Sequence, residues 1–302
     1  MRQSFEDYRK YLNPAIVSKL NSLELKARLV VEGFMVGLHQ SPYHGFSAEF
    51  SQHRPYMQGD YLKDIDWKIY GKTDKYFIKQ YEEETNLISH VVLDISKSMD
   101  YASGKNIRKL EYASTLAASL IYIMLRQQDA AGLTLYSDKI ETSLPPKSSR
   151  PYLKQLLMQL SEVRASSGTR TADCLNRIAE KVKRKGLVVV ISDFFDDADA
   201  TLKALKNFRY QKNETIVFQI LDPLELTFDF GADAIFKDME TAEEITTQPY
   251  QIQKAYQSAV KEFISKIKEE CLRSNIEYNL IQTNETFDKA LFSYFKKRSR
   301  LY

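Results

Sequence analysis

The run Leu187-Val188-Val189-Val190-Ile191 restricts this chain's fold more than any other stretch. Side chains along a strand alternate between its two faces, so an unbroken apolar run needs cover on both. Parallel sheets with helices above and below supply that cover. Gly186 opens the run and Ser192-Asp193 closes it. It therefore reads as the central strand of an α/β sheet.

The chain around it keeps the matching rhythm. Leu87 to Asp94, Ala131 to Tyr136, Thr215 to Leu221 and Glu277 to Ile281 read as further strands. Between them Ile107–Gln128, Ser149–Val163, Thr171–Arg184, Ala198–Phe208, Gln251–Arg273 and Phe287–Lys297 read as helices. Strands alternating with helices predict parallel βαβ units in a doubly wound, mostly parallel sheet with helices on both faces. The interval 222–250 breaks the rhythm and is expected to form a small excursion such as a hairpin. Residues 1–40 carry an imperfect apolar face through Leu20, Leu23, Leu25, Leu29, Val30 and Phe34, which predicts helix. Residues 41–85, with Pro42, Gly45, Pro55, Gly59 and Gly71, predict loops and short hairpins. The division expected is 1–85, an N-terminal helical and loop segment packed on the main domain, and 86–302, the α/β domain.

Several function classes are excluded early. The 302 residues include 43 Lys and Arg against 40 Asp and Glu, a net charge of +3. That balance gives no electrostatic case for nucleic acid or a membrane surface. Lys181-Val182-Lys183-Arg184-Lys185 and Lys296-Lys297-Arg298 read as solvated helix ends, where cations complement the dipole. His39, His44, His53 and His90 follow no metal spacing, and His90 is expected to be a hydrogen-bonded residue inside the first strand of the sheet. Cys174 and Cys271 read as buried small hydrophobes. No signal peptide is expected after Met1, and Leu116–Leu125 is too short for a bilayer span. No transmembrane segment and a cytoplasmic address are the expectation.

Chemistry concentrates at strand ends. Asp94-Ile95-Ser96-Lys97-Ser98 follows Val91-Val92-Leu93, so one carboxylate and two hydroxyls gather at the sheet's carboxyl edge. In open α/β sheets that edge is where ligands sit. Ser167-Gly168-Thr169, a turn before a helix, and Ser192-Asp193 bring further oxygens to the same edge. Ser96, Ser98 and Thr169 can ligate through neutral hydroxyls, while Asp94 and Asp193 ligate directly or hold waters. Oxygen ligands with few charges suit Mg²⁺ or Mn²⁺. So little neutralisation leaves the ion electrophilic, with an open position for a partner's Asp or Glu. Taken one at a time, these residues are also ordinary turn formers and helix caps.

The combination resembles the metal-ion-dependent adhesion site of von Willebrand factor A-type domains. Carried over position by position, the resemblance implies Asp94, Ser96, Ser98, Thr169 and Asp193 as the metal set. The wider pattern resembles the bacterial family called domain of unknown function 58. It is carried by Arg54-Pro55-Tyr56-Met57-Gln58-Gly59-Asp60, Asp64-Ile65-Asp66-Trp67, Lys79-Gln80-Tyr81-Glu82 and Glu84. Lys109-Leu110-Glu111, Asp129-Ala130-Ala131-Gly132-Leu133, Pro145-Pro146 and Asp222-Pro223-Leu224-Glu225 extend it. Members of that family are typically encoded beside MoxR-type AAA+ ATPases, so the resemblance implies such an ATPase as partner. One position departs: Arg170 stands where the family often has Asp.

Asp60, Asp64 and Asp66 beside Trp67 read as turn, cap and packing residues, and Tyr56, Tyr61, Tyr70, Tyr76 and Tyr81 as an aromatic layer. The functional expectation is a non-catalytic, divalent-metal-dependent protein-interaction module with a MoxR-type ATPase and a client protein supplying an acidic ligand. No phosphate-binding glycine motif is present. Two alternatives stay open. One is a Mg²⁺-dependent phosphoryl-transfer hydrolase using Asp94 as nucleophile, against which Ser96 stands where a proton-carrying Asp is usual. The other is a scaffold with a vacant metal site.

Overall fold

Every residue of Leu187–Ser192 is buried in the computed structural model, which describes residues 12–40, 53–55, 67, 70–71, 74–79, 87–166, 168–230, 234–237, 244–247 and 249–299. The first elements are α1 (Pro14–Val17), α2 (Leu23–Gln40), β1 (His53–Pro55), β2 (Phe77–Lys79), β3 (Ile88–Asp94) and α3 (Lys109–Arg126). Next come β4 (Ala130–Tyr136), β5 (Ile140–Lys147), α4 (Arg150–Ser161), α5 (Thr171–Lys181), β6 (Leu187–Ser192) and α6 (Ala198–Tyr210). The remainder is β7 (Glu214–Leu221), α7 (Pro223–Thr227), β8 (Ala234–Lys237), β9 (Glu244–Thr247), α8 (Pro249–Arg273), β10 (Glu277–Gln282) and α9 (Asp288–Arg298).

The central sheet has the order β10-β7-β6-β3-β4-β5. Its pairs are parallel except β4 with β5. The chain runs outward from β3 to β5, then crosses back to β6 on the other side of β3. A topological switch point therefore lies between β3 and β6, and the crevice beyond their carboxyl ends is the place for a ligand. This is a doubly wound, mostly parallel sheet with helices on both faces, as expected.

Strand alternation divides the interior into two cores. Val91 and Leu93 of β3 and Leu187, Val189 and Ile191 of β6 face a core shared with α2, α3, α4 and α9. Val92, Val188 and Val190 face the other, shared with α5, α6 and α8. Each fully buried side chain of this size contributes roughly 1.5–3 kcal/mol. Helix α3 is buried around nearly its whole circumference, Leu116–Leu125 included. Gly186 lets the two central strands meet, since a Cβ there would lie 2.0 Å from the Ile88 carbonyl oxygen.

Some expectations change. Ile140–Lys147 is a strand despite Pro145 and Pro146, because it is the sheet's antiparallel edge, where a missing N–H is tolerated. Lys297 and Arg298 are largely buried in ion pairs: Lys297 lies 2.6 Å from Glu214 and Arg298 3.0 Å from Asp129. Asp129 also accepts the Leu87 N–H at 3.1 Å, fastening the last helix to the start of β3. His90 is half-buried with no side-chain hydrogen bond among the described residues, and burial lowers its pKa to about 4. Interval 222–250 does contain a hairpin, β8 with β9, preceded by α7.

The N-terminal helix shares the first core: Ala27, Val30, Val31 and Phe34 are buried in it, and Phe34 stacks on Phe295 at 5.4 Å. Lys26 reaches Glu111 of α3 at 2.6 Å. β1 and β2 form a short antiparallel pair. Tyr70 stacks on Tyr76 at 4.5 Å, while Trp67 meets Tyr70 edge-on and stays 59% exposed rather than packed away. Asp60, Asp64, Asp66, Tyr56, Tyr61 and Tyr81 lie outside the described residues. Both cysteines are buried and free. Among the described residues no helix is long and apolar enough to cross a membrane.

Candidate metal centre

Strand β3 delivers Asp94 to the switch point with only 1% of its surface exposed. The chain then turns through a short 3-10 segment, Lys97–Asp100, pinned by fully buried Met99. The Ser96 N–H donates to Asp94 Oδ1 at 2.8 Å, and the Ser192 hydroxyl donates to Oδ2 at 2.6 Å. Ser96 Oγ and Ser98 Oγ lie 3.0 Å apart. Burial, reinforced by the nearby charge of Asp193, raises the Asp94 pKa to about 7 against the lowering effect of its hydrogen bonds. A carboxyl so disfavoured as an anion gains from a cation close by.

The second loop is fastened to the first. The Ser166 N–H donates to the Ile95 carbonyl at 2.8 Å, and Ser96 and Ser166 form an isolated parallel bridge. Gly168 then takes φ +89°, a conformation that disfavours side chains. Arg170 N–H reaches the Ser137 carbonyl at 3.3 Å, and Thr171 N–H reaches Asp196 Oδ2 at 2.8 Å. Half-buried Thr169 lies between these anchors, in a segment tied to the loops after both β3 and β6. Ser167 is outside the described residues.

The third loop leaves β6 through Phe194, which is buried and holds φ +61°. A non-glycine residue persists there only when its surroundings hold it. Its N–H donates to Ser192 Oγ at 2.9 Å, so Ser192 links the two strand ends. Asp193 is turned toward the interior. Its Oδ1 accepts the Phe195 N–H at 3.1 Å, and its Oδ2 receives the Lys109 ammonium at 2.8 Å. Lys109 is fully buried, also binds Glu225 at 2.6 Å, and lies 5.0 Å from the Phe195 ring centre. Burial works to lower its pKa, yet Asp193 and Glu225 together hold it above the ordinary value. Glu225 in turn accepts the Asp222 N–H at 2.8 Å in a capping box that starts α7.

Asp94, Ser96 and Ser98 thus meet at one turn, and Asp193 stands at the end of the adjacent strand, bound to a cation of the protein's own. Lys109 and Glu225, quoted above only as part of a family pattern, are the site residues whose role the sequence reading missed. A signal existed: cations are disfavoured at a helix N-terminus, and Lys109 opens a helix apolar on nearly every side. Such a lysine must be buried against acids.

The donor set fits a hard divalent ion. Among the described residues no three His, Cys, Asp or Glu side chains group to hold a metal. Hydroxyl and carboxylate oxygens suit Mg²⁺ or Mn²⁺ and do not suit zinc or copper. Among the described residues the buried Thr171 hydroxyl, beside the Thr169 loop, has no hydrogen-bond partner.

Comparisons with known proteins find similar chains. Uncharacterized proteins of Mycobacterium tuberculosis and Mycobacterium bovis are 23% identical over 234 residues, covering 76% of this chain and 72% of theirs. Among solved structures, the conserved hypothetical protein BatB from Bacteroides thetaiotaomicron is 18% identical with a TM-score of 0.47, covering 70% of this chain and 97% of its own. The SpRpn10 VWA domain is 11% identical with a TM-score of 0.41, covering 68% of this chain and 94% of its own. The sequence pattern of one family matches residues 52–264, more than half the chain. The chain belongs to that family, described as Protein of unknown function DUF58.

Proposed function

We propose that this protein is a non-catalytic, divalent-metal-dependent protein-interaction module. Asp94, Ser96, Ser98 and Thr169 hold Mg²⁺ or Mn²⁺, with Asp193 behind them, and an acidic side chain from another protein completes the ion's ligands. The observation that carries this reading is the cross-linking of three loops around one buried carboxylate, through Ser192 to Asp94, Ser166 to Ile95 and Thr171 to Asp196. The metal supplies positive charge for an incoming carboxylate; the protein's residues orient the loops. The partners are a MoxR-type AAA+ ATPase and a client protein, in chaperone-like assembly in the cytoplasm.

Two features favour interaction over hydrolysis. Both Asp94 oxygens already accept hydrogen bonds, from Ser96 and Ser192. A nucleophilic Asp94 also needs a proton carrier nearby, and Ser96, whose hydroxyl is a poor one near neutral pH, fills that place. One observation favours a second reading, a scaffold that needs no metal: Lys109 already neutralises the acid side.

The test is a pull-down with the ATPase and client extract, with and without chelator, comparing wild type with Asp94→Ala. Retention that needs Mg²⁺ and is lost in Asp94→Ala supports the module. Equal retention with chelator sinks it.

A further inference from the structure

We propose that Lys109 is a built-in counter-cation that withholds the charge of Asp193 from a bound divalent ion, so that the ion takes its missing charge from an acidic group on a partner. This rests on the metal reading above and specifies which residue sets the site's demand for that partner group.

The geometry is unusual for a lysine. Its ammonium is fully buried, 2.8 Å from Asp193 Oδ2 and 2.6 Å from Glu225 Oε1, with aromatic rings of Phe195 and Tyr101 at 5.0 and 5.9 Å. Asp193 Oδ1 is also engaged, by the Phe195 N–H. The carboxylate that a third loop would lend to a metal is therefore held from two sides by the protein itself. Asp94, whose oxygens are held by Ser96 and Ser192, has no cationic side chain bonded to it among the described residues. Ser96 and Ser98 add neutral oxygens only. An ion seated there keeps most of its charge, and a low-dielectric surround makes that charge felt strongly.

Glu225 gives the arrangement its balance. Lys109 is shared between two carboxylates, so removing either partner redistributes its charge onto the other. Removing Lys109 leaves Asp193 free to face the ion. Neutralising Glu225 commits Lys109 wholly to Asp193 and leaves the site more positive. The two changes push metal affinity in opposite directions, although both remove a buried ion-pair partner. A lysine that only supports the fold would give losses of affinity in both.

The experiment is a calorimetric titration of Mg²⁺, repeated with Mn²⁺, into the full chain, with thermal melting in parallel. Wild type is compared with Lys109→Met, Lys109→Gln and Glu225→Gln; the Gln at 109 keeps a hydrogen bond to Asp193 if Met disrupts folding. Folded Lys109 variants are expected to bind Mg²⁺ at least about tenfold more tightly, equal to about 1.4 kcal/mol. Glu225→Gln is expected to bind several-fold more weakly. Folded Lys109 variants that bind no better than wild type, or tighter binding by Glu225→Gln, overturn the counter-cation while leaving the metal reading intact. No Mg²⁺ or Mn²⁺ binding by any of the proteins overturns both.

Discussion

The two sides of the candidate site are built differently. On the β3 side, Asp94, Ser96 and Ser98 lie within five residues and are bonded by one another, with Ser192 as a distant donor. On the β6 side, Asp193 is satisfied by Lys109 from another element, and Lys109 by Glu225 from a third. The hydroxyl side is thus held by short-range hydrogen bonds, whereas the acid side is held by ion pairs reaching in from other elements. Asp193→Ala should show this most clearly. It leaves a buried ammonium with half its compensation, for which about 3–5 kcal/mol of stability is at stake. Urea unfolding with chelator present should move the midpoint accordingly; a shift under about 1 kcal/mol would erase the distinction.

The strands that carry the two sides differ as well. β6 is buried throughout and apolar up to Ser192, but β3 carries half-buried His90 in its middle. Burial holds that imidazole neutral, with a pKa of about 4 against an ordinary 6.5. The unfolded chain therefore binds the extra proton first. The stability tied to His90 is fully present above pH 6.5 and lost as pH falls toward 4, by up to about 3 kcal/mol. Other groups titrate in that range, so the informative quantity is the difference between wild type and His90→Gln. Unfolding free energies of the pair at pH 7 and pH 4 should diverge by an amount of that order. Parallel pH profiles would mean that the ring is solvated.

Asp94→Asn probes the hydroxyl side and should do little to the fold. The amide oxygen still accepts the Ser96 N–H, and removing a charge from a buried place offsets the weakened bond to Ser192. In chelator the melting behaviour should correspond to a change within about 1 kcal/mol. The rise in melting temperature expected of wild type in millimolar Mg²⁺, by preferential binding to the folded state, should be absent in the variant. A Mg²⁺-dependent rise that survives Asp94→Asn would move the ion elsewhere.

The same contrast governs what could be read in advance. Asp94-Ile95-Ser96-Lys97-Ser98 is legible because its geometry is local: a strand end, a turn and side chains that face one another. The apolar run at 187–191 is legible because burial on both faces leaves a pattern in composition. Ion pairs that span 84 residues, as Lys109 with Asp193, or 169, as Arg298 with Asp129, leave no periodic trace. For that reason Lys297 and Arg298 look like solvated helix ends in the sequence, yet both are pinned. Strand β5 was hidden by Pro145-Pro146, which argue against a strand anywhere except an edge, and edge position is a property of the whole sheet.

Arg170 offers the smallest and most discriminating comparison. It precedes α5 as an exposed cation at a helix N-terminus, the end that prefers negative charge, and it stands next to Thr169. Arg170→Asp reverses both effects, yet the side chain is in water and its influence on a nearby ion is screened. Mg²⁺ affinity should rise only about threefold at low salt, and most of that gain should vanish near 0.5 M salt, where the Debye length is only a few ångströms. Stability should improve by no more than about 1 kcal/mol. The buried Lys109, by contrast, acts where salt does not reach, so the gain from Lys109→Gln should persist at both ionic strengths. Titrations of the two variants at low and high salt therefore separate surface charge from interior charge at one site. A gain from Arg170→Asp that is as salt-resistant as that from Lys109→Gln would place Arg170 inside the ion's own shell of contacts.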